Sequence, residues 1–71
     1  ISFNLDIQSR VQTKVNIYNI NGRLVTTLYD NILFPGSHNF NWDATTMPSG
    51  IYLISAETPR LNKTKKITLL K

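Results

Sequence analysis

Apolar and polar residues alternate along much of this chain, and this period of two constrains the fold more than any other feature of the sequence. The first seven residues show it clearly, because every second residue is apolar: Ile1, Phe3, Leu5 and Ile7. Successive side chains of a β-strand point to opposite faces of the sheet, so the pattern predicts a half-buried strand. No stretch of ten or more residues has the i, i+3, i+4 spacing of an amphipathic helix.

Turn residues divide the rest of the chain into short segments. Further strands are predicted over residues 14–20, 23–29, 37–43, 51–57 and 64–70. The breaks contain residues that tight turns favour: Asn21-Gly22, Pro35-Gly36 and Pro48-Ser49-Gly50. Connections this short exclude parallel crossovers, which need about a dozen residues or more. We therefore predict an all-β fold, a small antiparallel immunoglobulin-like β-sandwich of six or seven strands.

The dipeptide Asn21-Gly22 predicts a two-residue hairpin loop with positive φ at both residues. Such a loop fixes the register, so the numbers of paired residues add up to the same sum as 21 and 22. The expected pairs are Val15 with Leu28, Asn16 with Thr27, Ile17 with Thr26, Tyr18 with Val25 and Asn19 with Leu24. We expect the face that carries Val15 and Ile17 to point to the core, because most of its residues are apolar.

The chain has 71 residues, which suits one small domain, and we expect residues 1–71 to form a single β-sandwich. Because Met47 is the only methionine, we expect that Ile1 is not a natural start and interpret the chain as a piece excised from a longer protein. No apolar run approaches the roughly 18 residues that a membrane span needs, so no span is expected.

The net charge of +4 is concentrated near the end of the sequence. Residues 60–71 contain five basic residues and no acidic one, whereas residues 1–59 contain three basic and four acidic residues. The aromatic residues that would stack on bases lie elsewhere, so nucleic acid is not an expected partner. Two interpretations of the basic end remain open. Its lysines either keep an edge strand from pairing with other chains, or belong to a strand that a receptor binds.

Residues that could carry chemistry form no convincing site. Cysteine is absent, which excludes thiolate nucleophiles and sulfur-ligated zinc. A catalytic triad would need Ser37, His38 and Asp43, but neighbouring strand residues point to opposite faces. The four acidic residues lack metal-ligand spacing, and the three glycines form no phosphate loop. We therefore expect no catalytic residue, no metal and no cofactor. Trp42 shares a row with Phe40, which favours a core position over a sugar-stacking platform.

Five ordered motifs cover nearly the whole chain. They are residues 15–25 (VNIYNINGRLV), Gly36-Ser37-His38, Trp42-Asp43, residues 48–52 (PSGIY) and residues 65–71 (KKITLLK). Their order and spacing resemble those of the C-terminal sorting domains of type IX secretion (type A). The pattern also overlaps that of the related immunoglobulin-like domain of flagellar hook-capping proteins.

The resemblance implies a C-terminal module excised from a larger secreted protein, in which it is an address label for the N-terminal cargo. The cargo is expected to reach the surface or exterior of a Gram-negative bacterium through the periplasm. The implied partners are the outer-membrane secretion machinery and a surface sortase-like protease. Candidate translocon-recognition residues, carried onto this sequence by their motifs, are Pro48, Gly50, Tyr52, Lys65, Lys66 and Lys71. The residues themselves leave open whether Gly50 and Tyr52 shape the fold or contact the translocon.

Two other hypotheses belong to different classes. A carbohydrate-binding or structural spacer module of an extracellular enzyme is the main alternative, and it requires an exposed aromatic platform such as Trp42. An enzyme in its own right has no support from any residue, so we predict that the chain is not an enzyme.

Overall fold

The computed structural model describes residues 1–70 and contains six β-strands and no helix in that range. The strands are β1 (Ser2–Ile7), β2 (Val11–Asn19), β3 (Leu24–Leu33), β4 (Gly36–Asn41), β5 (Gly50–Glu57) and β6 (Asn62–Leu69). Lys71, one of the candidate recognition residues, lies outside the described residues. No helix in the described range is long and apolar enough to cross a membrane.

The strands form two antiparallel sheets. Strand β1 pairs with β4, and the other four strands form a sheet in the order β3-β2-β5-β6. This is the arrangement of the B–E pair and the C′-C-F-G sheet in immunoglobulin-like folds. The predicted small antiparallel β-sandwich is therefore confirmed, with six strands.

The hydrophobic core lies between the two sheets, where alternate residues of each strand meet. It contains Phe3, Leu5, Val15, Ile17, Leu33, Trp42, Ala44, Tyr52, Ile54 and Ala56. The predicted inward position of Val15 and Ile17 is confirmed, since neither side chain has any exposed surface. Two aromatic contacts connect the two sheets. The ring centroids of Tyr29 in β3 and Phe40 in β4 are 5.5 Å apart, and those of Trp42, which follows β4, and Tyr52 in β5 are 5.2 Å apart.

The loop between β2 and β3 differs from the prediction. Gly22 has a φ of 83°, but Asn21 does not have positive φ. The Gly22 N–H donates to the Asn19 carbonyl oxygen (3.0 Å), which makes a turn with Ile20 and Asn21 at its centre. The Asn19 side-chain oxygen accepts from the N–H groups of Asn21 and Arg23, each at 3.0 Å. This side chain stabilises a three-residue loop in which only the glycine is left-handed.

The register of the hairpin is correspondingly only partly as predicted. Thr26 and Thr27 pair with Ile17 and Asn16 as expected, but register shifts occur on both sides of these pairs. As a result, Val15 pairs with Tyr29 instead of Leu28, and Leu24 pairs with Tyr18 instead of Asn19. Each β-bulge inserts an extra residue and increases the local twist, which lets a long hairpin curve around the core.

Several strand ends also lie outside the predicted limits. The β2–β3 ladder extends to the pair formed by Val11 and Leu33, so both strands are longer than their apolar alternation indicated. The added segment includes polar residues such as Asp30, whose carboxylate accepts a hydrogen bond from Gln12 on the neighbouring strand (3.1 Å). Cross-strand pairing, which the linear pattern does not contain, stabilises this extension.

Candidate functional site

Strand β6 lies at an edge of the four-stranded sheet. It pairs with β5 on one side, and no strand of residues 1–70 pairs with its other side. Its backbone N–H and C=O groups on that side are therefore not used by the ladders of the described chain. An edge of this kind is able to accept a further strand.

The register at β6 follows from the turn that precedes it. The N–H of Thr58 donates to the carbonyl oxygen of Leu61 (2.8 Å), and the reverse bond is 3.4 Å long. From this pair the β5–β6 ladder runs to Gly50 and Leu69 without a register shift. Hydrogen-bonded and non-hydrogen-bonded pairs alternate in an antiparallel ladder. The backbone groups that face the free edge therefore belong to Asn62, Thr64, Lys66 and Thr68.

The two faces of β6 carry different side chains. Lys63, Lys65, Ile67 and Leu69 lie opposite Ala56, Ile54, Tyr52 and Gly50, on the face that turns toward the core. Ile67 and Leu69 pack against the core, whereas Lys63 and Lys65 remain exposed. The Lys63 ammonium lies 5.9 Å from the centre of the Phe3 ring in β1, within the range of a cation–π contact. Lys66 points to the opposite face, so Lys65 and Lys66 do not form one contiguous patch.

The motif of residues 48–52 forms the entry into β5. The Tyr52 ring is only 6% exposed, and its hydroxyl donates to the carbonyl oxygen of Pro48 at 2.7 Å. A tyrosine at the start of the equivalent strand bonds back to the preceding loop in many immunoglobulin-like sandwiches. Gly50 has a φ of 159°, just inside the range that residues with side chains rarely adopt. A Cβ at Gly50 would lie 4.0 Å from the Tyr52 ring, so conformation and not space favours glycine here.

The structure brings part of the candidate set together. Gly50 is the pairing partner of Leu69, and Tyr52 is the pairing partner of Ile67, so the loop motif adjoins the second half of β6. Pro48 and Gly50 are exposed at this end of the molecule, while Tyr52 is buried below them. Lys65 and Lys66 lie nearer the N-terminal end of β6, away from this loop.

His38 and Trp42, the residues considered above for catalysis and sugar binding, both make structural contacts. The Nε2 atom of His38 donates to the Phe34 carbonyl oxygen at 2.7 Å, because a carbonyl oxygen only accepts. Among residues 1–70, no three His, Cys, Asp or Glu side chains cluster as metal ligands would. Trp42 is 6% exposed, so the platform that a sugar-binding module needs is not offered by this residue.

Sequence reasoning missed a buried polar network on the outer face of the four-stranded sheet. Asn16 is 4% exposed. Its amide nitrogen donates to the Tyr18 hydroxyl (3.1 Å) and to the Glu57 carboxylate (3.2 Å), and its oxygen accepts from Thr27 (2.8 Å). The sequence signal that could have indicated this network is Asn16 itself, a polar residue between the two core residues Val15 and Ile17. The network joins β2, β3 and β5 and lies beside one of the two register shifts.

Comparison with known proteins assigns the chain to a family. The family model described as "Secretion system C-terminal sorting domain" matches residues 1–70. No curated protein and no solved structure matches the chain. The match covers almost the entire sequence and agrees with the ordered motifs, the two antiparallel sheets and the basic final strand. The chain therefore belongs to the family of secretion system C-terminal sorting domains, which direct attached proteins through type IX secretion to the cell exterior or surface.

Proposed function

We propose that the secretion machinery recognises this domain as a folded unit and binds it at the free edge of β6. The position of β6 at the end of the β3-β2-β5-β6 sheet supports this most directly, because a strand there offers unpaired backbone groups. Lys65 and Lys66 are exposed on that strand and supply positive charge on its two faces. The domain acts by being bound and not by catalysis.

The six candidate residues divide into two roles in this proposal. Lys65 and Lys66, together with Lys71, contact the machinery directly. Pro48, Gly50 and Tyr52 act indirectly, because the Tyr52–Pro48 hydrogen bond holds the loop beside the second half of β6. A buried hydroxyl in this position is suited to shaping a surface, not to touching a partner.

Membership of the sorting-domain family supports a wider setting for this proposal. We infer a single sorting module at the end of an N-terminal cargo protein, exported from the periplasm of a Gram-negative bacterium. A sortase-like protease at the cell surface then removes the domain from the cargo. Nothing in the fold or the comparisons favours the carbohydrate-binding or spacer alternative, and burial of Trp42 counts against its sugar platform.

A reporter export assay tests the docking proposal. The full chain is fused to the end of a periplasmic reporter enzyme in a bacterium with a type IX system, and the reporter is measured in periplasm and medium. The double variant Lys65→Glu with Lys66→Glu is expected to retain the reporter in the periplasm. The matched control, Arg10→Glu with Arg23→Glu, makes the same change in charge at exposed residues outside the strands and is expected to export normally.

Two outcomes would contradict the proposal. Equal export of both double variants would show that β6 charge does not guide docking, and equal retention would show that only net charge matters. Circular dichroism of each purified variant domain is required to show native β-structure, so that unfolding does not account for retention.

A further inference from the structure

The free edge of β6 specifies how a new antiparallel strand would sit on it. The outward backbone groups belong to Asn62, Thr64, Lys66 and Thr68, so an added strand exchanges hydrogen bonds with these residues. Its alternate residues then lie opposite Lys63, Lys65, Ile67 and Leu69, without hydrogen bonds to them. Side chains approach most closely in these non-hydrogen-bonded pairs. The core-facing side chains of β6 therefore determine which strand fits.

These core-facing side chains change character halfway along the strand. Lys63 and Lys65 are exposed, and within residues 1–70 neither ammonium group has a carboxylate partner. Ile67 and Leu69 follow them and are partly buried. A complementary strand would therefore need carboxylates opposite the two lysines and apolar side chains opposite Ile67 and Leu69.

A shallow cavity that is largely open to solvent lies beside the apolar half of β6. It has a volume of about 400 Å³ and is lined by Ile1, Trp42, Asp43, Ala44, Thr45 and Leu69. Its apolar walls belong to the start of the chain, to the segment after β4 and to the core-facing side of β6. A side chain placed opposite Leu69 on an added strand would be directed toward this space.

We propose that β6 binds an extended protein segment of defined pattern, added antiparallel to its free edge. In its own N-to-C direction, this segment carries two apolar residues and then two acidic residues, each separated from the next by one residue of any type. The apolar pair lies opposite Leu69 and Ile67, with the first apolar side chain in the cavity, and the acidic pair lies opposite Lys65 and Lys63. The inference rests on the proposed function and names the chemistry of the partner strand.

Peptide binding to the 71-residue chain tests the pattern. The probe has valine, valine, glutamate and glutamate in that order, each flanked by threonine. The control peptide has the same composition with the glutamates first, so its charge and β-propensity are unchanged. Fluorescence anisotropy is expected to show about tenfold tighter binding of the probe at low salt, because in the antiparallel orientation two opposite-charge pairs are matched only in that order.

A reciprocal charge exchange tests whether Lys63 and Lys65 pair with the two glutamates of the probe. In the double variant Lys63→Glu with Lys65→Glu, the probe is expected to lose its tighter binding over the reordered control. A peptide with lysine in place of both glutamates is expected to gain it.

Backbone pairing is tested with N-methyl groups. Methylation of the threonine opposite Lys66 removes an N–H that faces β6, and should abolish binding. Methylation of the glutamate opposite Lys65 removes an N–H that points away, and should be tolerated.

The failures of the two proposals are distinguishable. Equal affinity for probe and reordered control, or equal effects of both N-methyl groups, would overturn the strand pattern. Dextran sulfate that displaces the probe and binds at least as tightly would overturn it in favour of a general anion-binding surface. Either result leaves the proposed function standing if reporter export still depends on Lys65 and Lys66. Conversely, normal export of the Lys65→Glu, Lys66→Glu variant refutes docking at β6, whatever the peptides do.

Discussion

The hydroxyl of Tyr52 donates a 2.7 Å hydrogen bond to the carbonyl oxygen of Pro48, four residues earlier in the chain. Tyr52 is in the core at the start of β5, while Pro48 is exposed in the loop before it. The bond therefore fastens a surface loop to the core through one buried side chain. It gives a physical reason for the tyrosine of this motif, whose hydroxyl holds the backbone of the loop over the ring.

Removing that hydroxyl should destabilise the domain. Tyr52→Phe keeps the ring and its contact with Trp42 but loses the hydrogen bond, at an expected cost of about 1 to 2 kcal/mol in the free energy of unfolding. Tyr29→Phe is the matched control, because its hydroxyl also donates to a backbone carbonyl, that of Ile32, but at an exposed site. Water replaces the lost partner there, so urea unfolding should show a smaller effect. A cost for Tyr29→Phe as large as that for Tyr52→Phe would refute this explanation.

The buried amide of Asn16 should be hard to replace by an apolar side chain of similar size. Asn16→Leu removes three hydrogen bonds and leaves Thr27 and Glu57 without their partner, for an expected loss of about 2 to 3 kcal/mol. Asn39→Leu is the control, because Asn39 is exposed on β4 and its side chain, within residues 1–70, bonds to Asn4 alone. Its effect should stay within about 0.5 kcal/mol. Urea denaturation of both variants would decide the matter, and equal stabilities would mean that the network does not stabilise the fold.

Gly22 should tolerate asparagine better than alanine. Its φ of 83° lies in the left-handed region, where a residue with a Cβ pays a conformational cost that asparagine partly avoids. Gly22→Ala is expected to lower the free energy of unfolding by about 1 kcal/mol, and Gly22→Asn by less. No heavy atom lies within 4 Å of the added Cβ position, so a steric clash does not complicate the comparison. The reverse order of stability, measured by thermal unfolding, would contradict the assignment of this loop.

Ile54 should respond to loss of a single methyl group. It is 1% exposed at the centre of β5, so Ile54→Val should cost about 1 kcal/mol through lost burial and a small cavity. Ile51 is on the opposite face of the same strand and only partly buried, so Ile51→Val should cost clearly less. Denaturant midpoints at constant slope give both values. Equal costs would indicate that the outer face of β5 is packed as tightly as the core.

Much of the fold was predictable because a β-strand with one buried face needs a linear alternation of apolar and polar residues. Phe3 and Leu5 on β1, and Tyr52, Ile54 and Ala56 on β5, are buried as that alternation requires. The hairpin of β2 and β3 was predictable only in its central pairs. Its bulges depend on twist and on the Asn16 and Asn19 side chains, whose partners lie on other strands or across a turn.

The candidate site, like the fold, was predictable from the sequence only in part. The sequence alone determined the basic character of the last strand, the motif at residues 48–52 and the type of fold, because these depend on residue types and their local spacing. Only the tertiary structure decided that β6 occupies an edge, that Tyr52 is buried with its hydroxyl on Pro48, and that a cavity lies beside Leu69. These facts arise from pairings between residues far apart in the chain, and the order of strands in a sheet is not encoded in the pattern of any one strand.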